Sequence, residues 1–534
     1  MHDRRWAGLL VLCFSLLVIG LDNTILNVAL PKLQEDLNAT TSQLQWIIDG
    51  YTLVFAGLLL TGGALGDRFG RKGALQIGLV IFCAGSMLSA NAGSANQLIL
   101  TRSLMGVGGA LIMPATLSLL TNMFTDPKER GRAIGVWAGV SGAGVAIGPL
   151  LGGWLLAHFW WGSVFLINLP VTIIALVAGK VLLPTSKAPD AQKLDPLGAA
   201  LSIAGLVSLL WGIIEAPAKG WTSTPVVVAL VLAVVLLGAF VAWELTTDHP
   251  MLDVHFFQNR RFTAASSAVT LLFFAMFGAM FLLTQFLQFG LGFTPLQAGL
   301  RAAPFALIMM AAAPTAPRLV ERAGTKIVVV AGMLIVAVGL VVASTCTVAL
   351  GYPRVLIAQL LIGFGIATAM APATESIMGA LPRHKAGVGS AMNDTTRQVG
   401  GALGVAVVGS VYASAYRPEL VSKLSGLFGS LPGGAAAQSA ARDSIGGAII
   451  VAQRAGGDPQ KIDTATGHHI ADAARDAFTT AMSRGFLFAA VFALLGALVA
   501  LLFLPARVAD PGTDPAEDLD DIDDSVPELE PAGA

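Results

Sequence analysis

The chain has 534 residues, of which 55% are hydrophobic and only 12% are charged, with a formal net charge of −1. Water-soluble proteins carry roughly 25% charged residues, so this composition excludes a soluble domain and requires lipid as the solvent. The near-zero net charge gives no field that would favour nucleic acid. The three cysteines are too few and too scattered for a disulfide framework or a zinc site.

The hydrophobic pattern predicts fourteen membrane-spanning helices, because a helix needs about 20 mainly apolar residues to cross the hydrocarbon core. The segments are too long for the strands of a membrane barrel, which use about 10 residues each. The first segment follows two arginines, but no small-residue cleavage site follows it, so we expect a retained helix. The predicted spans lie near residues 8–30, 44–65, 73–91, 97–122, 132–156, 163–183, 196–216, 224–244, 263–290, 297–317, 327–349, 354–380, 387–415 and 485–505.

The distribution of Lys and Arg predicts the orientation, since short cytoplasmic loops carry the excess of positive charge. With the N-terminus in the cytoplasm, the inside loops collect clusters such as Arg260 with Arg261. The short outside loops then hold little beyond Lys32, Lys219 and Arg354. An even number of spans returns the C-terminus to the cytoplasm. We therefore expect a multi-pass protein of the inner (plasma) membrane with both termini inside.

Two long segments lie outside the predicted spans. One is an outer loop rich in Ala, Gly and Ser, and the other is an acidic tail that we expect to be disordered. The predicted organisation is an N-terminal six-helix bundle at 1–183, an inserted helix pair at 184–250, the first five helices of a second bundle at 251–415, the extended outer loop at 416–484, the last helix at 485–505 and the tail at 506–534.

The two halves of the chain resemble each other weakly. Residues 65–72, after the second span, and 319–326, after the tenth, share leucine, acid, arginine, glycine and lysine in one order. A Gly-x-Gly pair beginning at Gly106 in the fourth span matches the pair beginning at Gly363 in the twelfth. Chance would explain one match, but two matches in order favour two related six-helix halves, with the seventh and eighth spans inserted between them.

The loop after the second span has the residues of a cytoplasmic gate. Small residues let neighbouring helices approach closely, and a carboxylate beside arginines accepts charge-assisted hydrogen bonds. We expect the carboxylate to pair with an arginine across the bundle and so to hold the cytoplasmic side in one state. The gate residues are Asp67, Arg68, Gly70, Arg71 and Lys72.

Glycines in the fifth span recur at every fourth position. Gly144, Gly148 and Gly152 share one helix face and make it smooth enough for close packing. Pro149 removes one backbone hydrogen bond and can bend the helix. Ordinary packing of small residues in a membrane gives a similar pattern, so the spacing alone leaves the purpose of this face open.

Three ionisable residues lie inside the first predicted bundle, in its outer half: Asp22, Asp49 and Arg102. A charge at membrane depth costs at least about 2.5 kcal/mol, so each is a functional hypothesis. Contact with an arginine favours the charged form of a carboxyl group, and burial opposes it. A pocket that switches between these environments would couple protonation to a conformational cycle. The alternative is a static buried ion pair, above all between Asp49 and Arg102.

The thirteenth span offers a second candidate set for the proton and substrate pathway. Asp394 and Arg397 are three residues apart and share a helix face. The two charges could equally do no more than neutralise each other.

Together these strings resemble the fourteen-span drug:proton antiporter branch of the major facilitator superfamily. The similarity extends over residues 22–31, 46–51, 62–72, 102–106, 144–153, 165–170, 285–299 and 393–404. It implies an all-α membrane protein with the major facilitator fold, two six-helix bundles plus two inserted helices, that works as a monomer. It also implies efflux of amphipathic drugs or antibiotics driven by the proton-motive force.

The resemblance also assigns roles to residues. Asp22 and Arg102 would belong to the proton and substrate pathway, and the glycine face of the fifth span would be the antiporter motif of exporters. One departure is the string Trp160-Trp161-Gly162, which lacks the arginine that the family often carries there.

Several alternatives remain beside drug efflux. The sequence has no phosphate-cradling loop of an ATP-driven pump and no nucleophile–base pair or metal ligand set, so we expect neither an enzyme nor a cofactor. An exporter of one natural product or lipid-like molecule keeps the same fold, as does a proton-coupled importer or a membrane sensor. The expected partners are a small amphipathic substrate, protons and the lipid bilayer.

Overall fold

A computed structural model describes residues 4–124, 126–187, 195–248, 250, 252, 254–380, 386–424, 434–454 and 465–505. These residues form helices and contain no β-strand. Thirteen of the helices they form are long and apolar enough to cross a membrane, and α5, with 32 residues, supplies the fourteenth span. The predicted all-α membrane fold is therefore confirmed.

The helices follow the predicted order of spans. The short helix α6 and α7 together make the sixth span, and α16 and α17 are too short to cross. The helices are α1 Arg4–Leu37, α2 Thr41–Phe69, α3 Arg71–Ala90, α4 Ala95–Met123, α5 Pro127–His158, α6 Ser163–Leu166, α7 Asn168–Leu182, α8 Pro196–Lys219, α9 Thr224–Thr246, α10 Arg260–Gln285, α11 Pro295–Ala312, α12 Thr315–Ala323, α13 Thr325–Ser344, α14 Gly351–Met378, α15 Ala386–Lys423, α16 Gly434–Asp443, α17 Ile445–Arg454 and α18 Ala465–Phe503.

The structure repeats itself at the glycines that the sequence comparison paired. Gly70 separates α2 from α3 with a φ of 118°, and Gly324 separates α12 from α13 with a φ of 83°. Both angles lie in the region that only glycine adopts without strain. Each glycine also ends its helix alike, because its N–H donates to the carbonyl four residues earlier. The same turn thus occurs once in each half.

Helix crossings repeat in the same register. A Cβ atom on Gly78 of α3 would lie 2.8 Å from the carbonyl oxygen of Gly108 in α4. A Cβ atom on Gly332 of α13 would lie 2.8 Å from the carbonyl oxygen of Gly365 in α14. These distances are too short for any side chain, so both crossings depend on glycine. The two halves are related bundles, as predicted.

Within the described part of the chain, the hydrogen bonds that join the halves lie toward the helix ends that the sequence predicts to face outward, called here the outer ends. Gln45 of α2 donates through Nε2 to the carbonyl oxygens of Val405 (3.1 Å) and Ala406 (2.9 Å) in α15. Gln288, in the π-helical turn that ends α10, donates to the carbonyl oxygen of Val28 in α1 at 2.8 Å. The structure is therefore closed on the side that the sequence predicts to be the outer one.

The inserted helix α8 packs against both halves at this outer seam. Pro217 has no N–H, so it leaves the carbonyl of Ile213 without its helical partner. Ser410 of α15 donates to that carbonyl at 2.7 Å. From the other half, Ser42 of α2 donates to the carbonyl of Ile214 at 3.2 Å. The insertion thus lies across the seam and contacts α2 and α15.

Residues 434–454, which form α16 and α17, make a helical cap over the outer ends of the spans, called here the outer cap. Its apolar helix α17 is buried. The hydroxyl of Thr41 in α2 donates to the backbone carbonyl of Asp443. The carboxylate of Asp443 pairs with Arg417 of α15 at 2.9 Å. The outer cap therefore binds the first half at α2 and the second half at α15.

Candidate functional site

A fully buried ion pair lies at membrane depth in the first bundle. Arg102 of α4 pairs through Nη1 with Oδ2 of Asp22 in α1, and the two side chains are 1% and 0% exposed. Arg102 also donates through Nε to the carbonyl oxygen of Ile47 in α2, at 3.2 Å. One side chain therefore connects α4 to both α1 and α2. Each charge in this pair is tolerable at this depth only because the other is present.

Two polar residues that the sequence analysis did not single out complete the site. Asn168 of α7 donates through Nδ2 to Oδ1 of Asp22 (3.3 Å) and to the hydroxyl of Ser86 in α3 (3.1 Å). Ser86 in turn donates to the carbonyl oxygen of Phe165 at 2.8 Å. The signal for Asn168 was available, since it is an amide inside the apolar string 165–170 that carries the family resemblance.

Aromatic rings enclose the arginine of the pair. The guanidinium carbon of Arg102 lies 4.5 Å from the ring centroid of Tyr51 and 6.0 Å from that of Phe165. Tyr51 stacks on Phe55 with centroids 5.7 Å apart. A desolvated guanidinium is attracted to the face of such rings. The site thus stabilises the positive charge by two means, the Asp22 carboxylate and the ring faces.

Asp49 of α2 is also fully buried but is not paired. Its side chain is 0% exposed, and neither carboxylate oxygen has a hydrogen-bond partner among the described residues. Arg102 pairs with Asp22 instead, so the structure does not contain the static Asp49–Arg102 pair that we considered as an alternative. An ionised carboxylate without a partner is costly in such a place. Asp49 is therefore a buried acid with room to accept a hydrogen bond at either carboxylate oxygen.

The glycine face of α5 packs against the part of α1 that carries Asp22. A Cβ atom on Gly144 would lie 3.3 Å from the backbone of Gly20, and one on Gly152 would lie 2.7 Å from Ile25. Gly148, between them, meets the side chain of Thr24. These contacts leave little room for a side chain, so a larger residue would have to shift its neighbour on α1 or move α5 away from α1.

The same helix also contacts the second half. The carbonyl of Pro149 lies against Gly299 of α11, and Gly153 lies against Pro295 and Leu296 at the start of α11. The α5 helix therefore has α1 on one side and the opposite half on the other. A movement between the halves must displace α5 relative to at least one of these neighbours.

The gate residues after α2 contact the first half and the segment that follows it, where the N–H of Arg71 donates to the carbonyl oxygen of Ser186 at 3.0 Å. Asp67 pairs with Arg71 of the same loop at 2.7 Å, so the expected arginine across the bundle is not its partner. The i,i+4 spacing across the Gly70 turn brings these two side chains together. Lys72 donates to the carbonyl oxygens of Lys180 and Leu183, both at 2.8 Å. The loop is thus fastened to the end of α7, while Arg68 lies over the ring of the exposed Phe69.

The second charged set lies in the N-terminal half of α15. Asp394 and Arg397 approach to 3.6 Å. Arg397 also donates to the hydroxyl of Thr374 in α14 at 3.1 Å, and its guanidinium lies 5.5 Å from the ring of Phe273 in α10. Unlike the Asp22–Arg102 pair, both side chains are partly exposed. No contact among the described residues joins this set to the site in the first bundle.

Two related six-helix halves, an outer seam between them and a buried ion pair at membrane depth define a membrane-embedded secondary transporter. The match to a family model agrees with this class: residues 12–405 fit the Major Facilitator Superfamily. The chain belongs to the major facilitator superfamily.

The chain is also similar to individual proteins that are named for drug efflux or resistance. The chain is 35% identical over 496 residues to the multidrug efflux pump LfrA of Mycolicibacterium smegmatis, covering 93% of this chain and 95% of that protein. It is 35% identical to the tetracenomycin C resistance and export protein of Streptomyces glaucescens, over 78% of this chain and 77% of that one. It is 34% identical to the methyl viologen resistance protein SmvA of Salmonella typhimurium, over 89% and 93%.

The solved structures support the fold. A bacterial homologue of the human lysosomal transporter Spinster, in an inward-facing and unoccupied conformation, matches with a TM-score of 0.62 at 18% identity. The match covers 95% of this chain and 99% of that one. At this identity the likeness concerns the fold alone.

Proposed function

We propose that this protein exports small amphipathic compounds, such as drugs or antibiotics, from the cytoplasm in exchange for protons. The buried Asp22–Arg102 pair is the observation that carries the proton coupling. The similarity to efflux and resistance proteins over most of the chain supports the substrate class. In this proposal both termini lie in the cytoplasm, the outer cap lies outside and the protein works as a monomer.

The coupling step is an exchange of partners at Arg102. Arginine keeps its charge in proteins, so the ion pair is released when Asp22 takes up a proton. Arg102 then requires a new acceptor. Asp49 has two vacant carboxylate oxygens and lies two residues beyond Ile47, whose carbonyl Arg102 already contacts. We assign the exchanged proton to Asp22 and Asp49 in turn.

The remaining predicted residues have supporting roles in this cycle. The glycine face of α5 carries the movement between the halves to α1, because it contacts α1 on one side and α11 on the other. The Asp67–Arg71 pair belongs to the cytoplasmic gate, which acquires contacts across the bundle when that side closes. Asp394 and Arg397 form a second polar site, which contacts the substrate on the cytoplasmic part of its path.

Efflux of ethidium from a drug-hypersusceptible bacterium tests the proposal. Wild type, Asp22→Asn and Arg102→Ala are compared with and without a protonophore, at matched protein levels. The control is Asp472→Asn, which makes the same chemical change at a side chain that is 72% exposed. We expect efflux by wild type and the control, and none by the two site variants or with the protonophore. Unchanged efflux by Asp22→Asn would remove Asp22 from the coupling step.

A second candidate is export of a single natural product, favoured by the similarity to the tetracenomycin C resistance and export protein. The same strains decide between the two candidates. If wild type moves neither ethidium nor a neutral dye but raises resistance to one compound in a natural-product panel, the narrow function holds.

A further inference from the structure

An open groove runs between α3 and α7 on the side of the first bundle that faces the membrane. It encloses about 420 Å³ and is lined by apolar side chains, with Gln76 and Lys180 at one end. We propose that this groove binds an anionic phospholipid of the cytoplasmic leaflet, with one acyl chain between the two helices and the phosphate at Lys180. This site is separate from the ion pair and from the substrate path.

The apolar part of the groove can accept an acyl chain. Ile77 and Val80 of α3 and Val177 of α7 are exposed, and nothing in the described chain lies over them. Lys180 is about one helical turn beyond Leu176, so the groove extends for roughly 5 Å or more from the cation into the hydrocarbon core. Lipid is the only medium that such a surface meets at this depth.

The polar end of the groove carries positive charge. Lys180 is in the last turn of α7, which ends at the cytoplasmic face in the orientation proposed above. The Lys72 ammonium lies beside the backbone of Lys180 and donates two of its three N–H groups to carbonyl oxygens at this helix end. Lys187, just beyond, is exposed. The acidic neighbour, Asp67, already pairs with Arg71.

Charge complementarity therefore selects the ligand. The headgroup level of the cytoplasmic leaflet is negatively charged, and basic residues at that level attract anionic lipids. Phosphatidylglycerol matches both parts of the groove, a phosphate for the lysines and a chain for the apolar walls. Because Lys72 also fastens the gate loop to α7, a lipid bound here would brace that attachment.

Native mass spectrometry of the purified full-length protein tests the site. The protein is equilibrated with equal amounts of phosphatidylglycerol and phosphatidylcholine that carry the same chains. We expect wild type to retain phosphatidylglycerol in excess, and Lys180→Gln to reduce that excess about fivefold, the effect of one cation at an anionic surface. Lys180→Arg should restore it. The control Lys326→Gln removes a charge at the matching end of the second half and should leave the excess unchanged.

A variant that fills the groove distinguishes binding of the acyl chain from binding of the headgroup alone. Val80→Trp keeps Lys180 but occupies the space for the chain, and we expect it to lose bound phosphatidylglycerol as well. Soluble glycerol phosphate in excess should displace none. Equal retention by Lys180→Gln and Lys326→Gln would overturn the site. Full retention of phosphatidylglycerol by Val80→Trp would contradict binding of the acyl chain in the groove. Displacement of phosphatidylglycerol by glycerol phosphate would contradict it as well. These readouts do not depend on transport, so they stand apart from the test of efflux.

Discussion

The two halves share their packing but differ in their chemistry at one matched position. Gly106 of α4 meets the backbone of Tyr51, and Gly363 of α14 meets the backbone of Phe305, in the same register. Four residues before these glycines stand Arg102 in the first half and Gln359 in the second. Arg102 holds the buried ion pair, whereas Gln359 is equally buried and its amide has no partner among the described residues.

This difference leads us to expect that the first half controls proton coupling. Both halves keep the glycines at the helix crossings, where a Cβ atom would lie too close to the neighbouring backbone. Among the described residues of the two halves, the fully buried ion pair belongs to the first half. In the second half, the pair Asp394 and Arg397 lies in the N-terminal half of α15, and both side chains are partly exposed. The repeat therefore gives both halves the same packing, and we attribute the proposed proton coupling to the buried pair of the first half.

The largest expected effect comes from breaking the pair at Arg102. Arg102→Met leaves Asp22 as an unpaired buried charge, which costs about 3–5 kcal/mol of stability. We expect transport to stop and the thermal midpoint of the purified protein to fall. The double variant Asp22→Asn with Arg102→Met should recover stability but not transport. Recovery of transport in the double variant would contradict a coupling role for the pair.

The matched substitution in the second half should be nearly silent. Gln359→Met removes an amide without a partner and keeps the volume, so we expect stability that is unchanged or raised by about 1 kcal/mol. Efflux should persist. The measurement is a thermal unfolding curve beside the ethidium assay, and a loss of efflux as large as that of Arg102→Met would show that the two halves share the coupling.

A smaller effect is expected at the glycine face of α5. Gly148→Ala places a methyl group against the side chain of Thr24, and overpacking of this kind costs about 1–3 kcal/mol. We expect slower efflux with an unchanged dependence on the proton gradient. Thr24→Ala in the same protein removes the hydroxyl that the methyl group meets and should restore part of the rate. No restoration would place the effect elsewhere than at the α1–α5 contact.

The outer cap gives a prediction about the closed state. Arg417 donates to Pro217 of α8 at 2.6 Å and pairs with Asp443. Since the pair is partly exposed, Arg417→Ala should cost only about 1 kcal/mol. Hydrogen exchange in α16 and α17 should accelerate by a factor of about five. Exchange in the first-half helix α3, which does not touch the cap, serves as the internal control and should not change.

The smallest expected effect is a pH dependence of the stability of the outer cap, through Asp443. Burial raises the pKa of Asp443, and the nearby Arg417 opposes this only in part. A carboxyl group with a raised folded pKa binds protons more tightly when folded, so the cap gains stability as the pH falls from above that pKa toward the ordinary value of about 3.9. Protection of α17 against exchange should therefore rise in mild acid. Asp443→Asn should abolish this rise, and a rise that persists would assign it to another group.

Much of the fold could be predicted from the sequence, because hydropathy and the Lys/Arg distribution act on whole segments. The spans, the repeat and the inserted pair follow from such patterns. The last helix begins at Ala465, ahead of the span predicted near 485–505, because its first turns carry polar residues that a criterion of apolar length does not count.

The partners of individual side chains could not be predicted in the same way. The spacing of residues shows that Asp22, Asp49 and Arg102 lie at similar depth, but which acid meets Arg102 depends on the rotation of three helices about their axes. Asp67 was assigned a partner across the bundle because motifs describe a whole cycle. A single state shows only the contacts of its own closed side, and here that side is the one predicted to face outward.

The proline in α8 has a mechanical consequence. By freeing the carbonyl of Ile213, Pro217 lets α15 bond to α8 through Ser410, while Ser42 attaches α2 to the next carbonyl along. The outer seam cannot part between α2 and α15 unless α8 releases one of them. Any movement that separates the two halves at this seam would therefore have to leave α8 with one half and break its bond to the other.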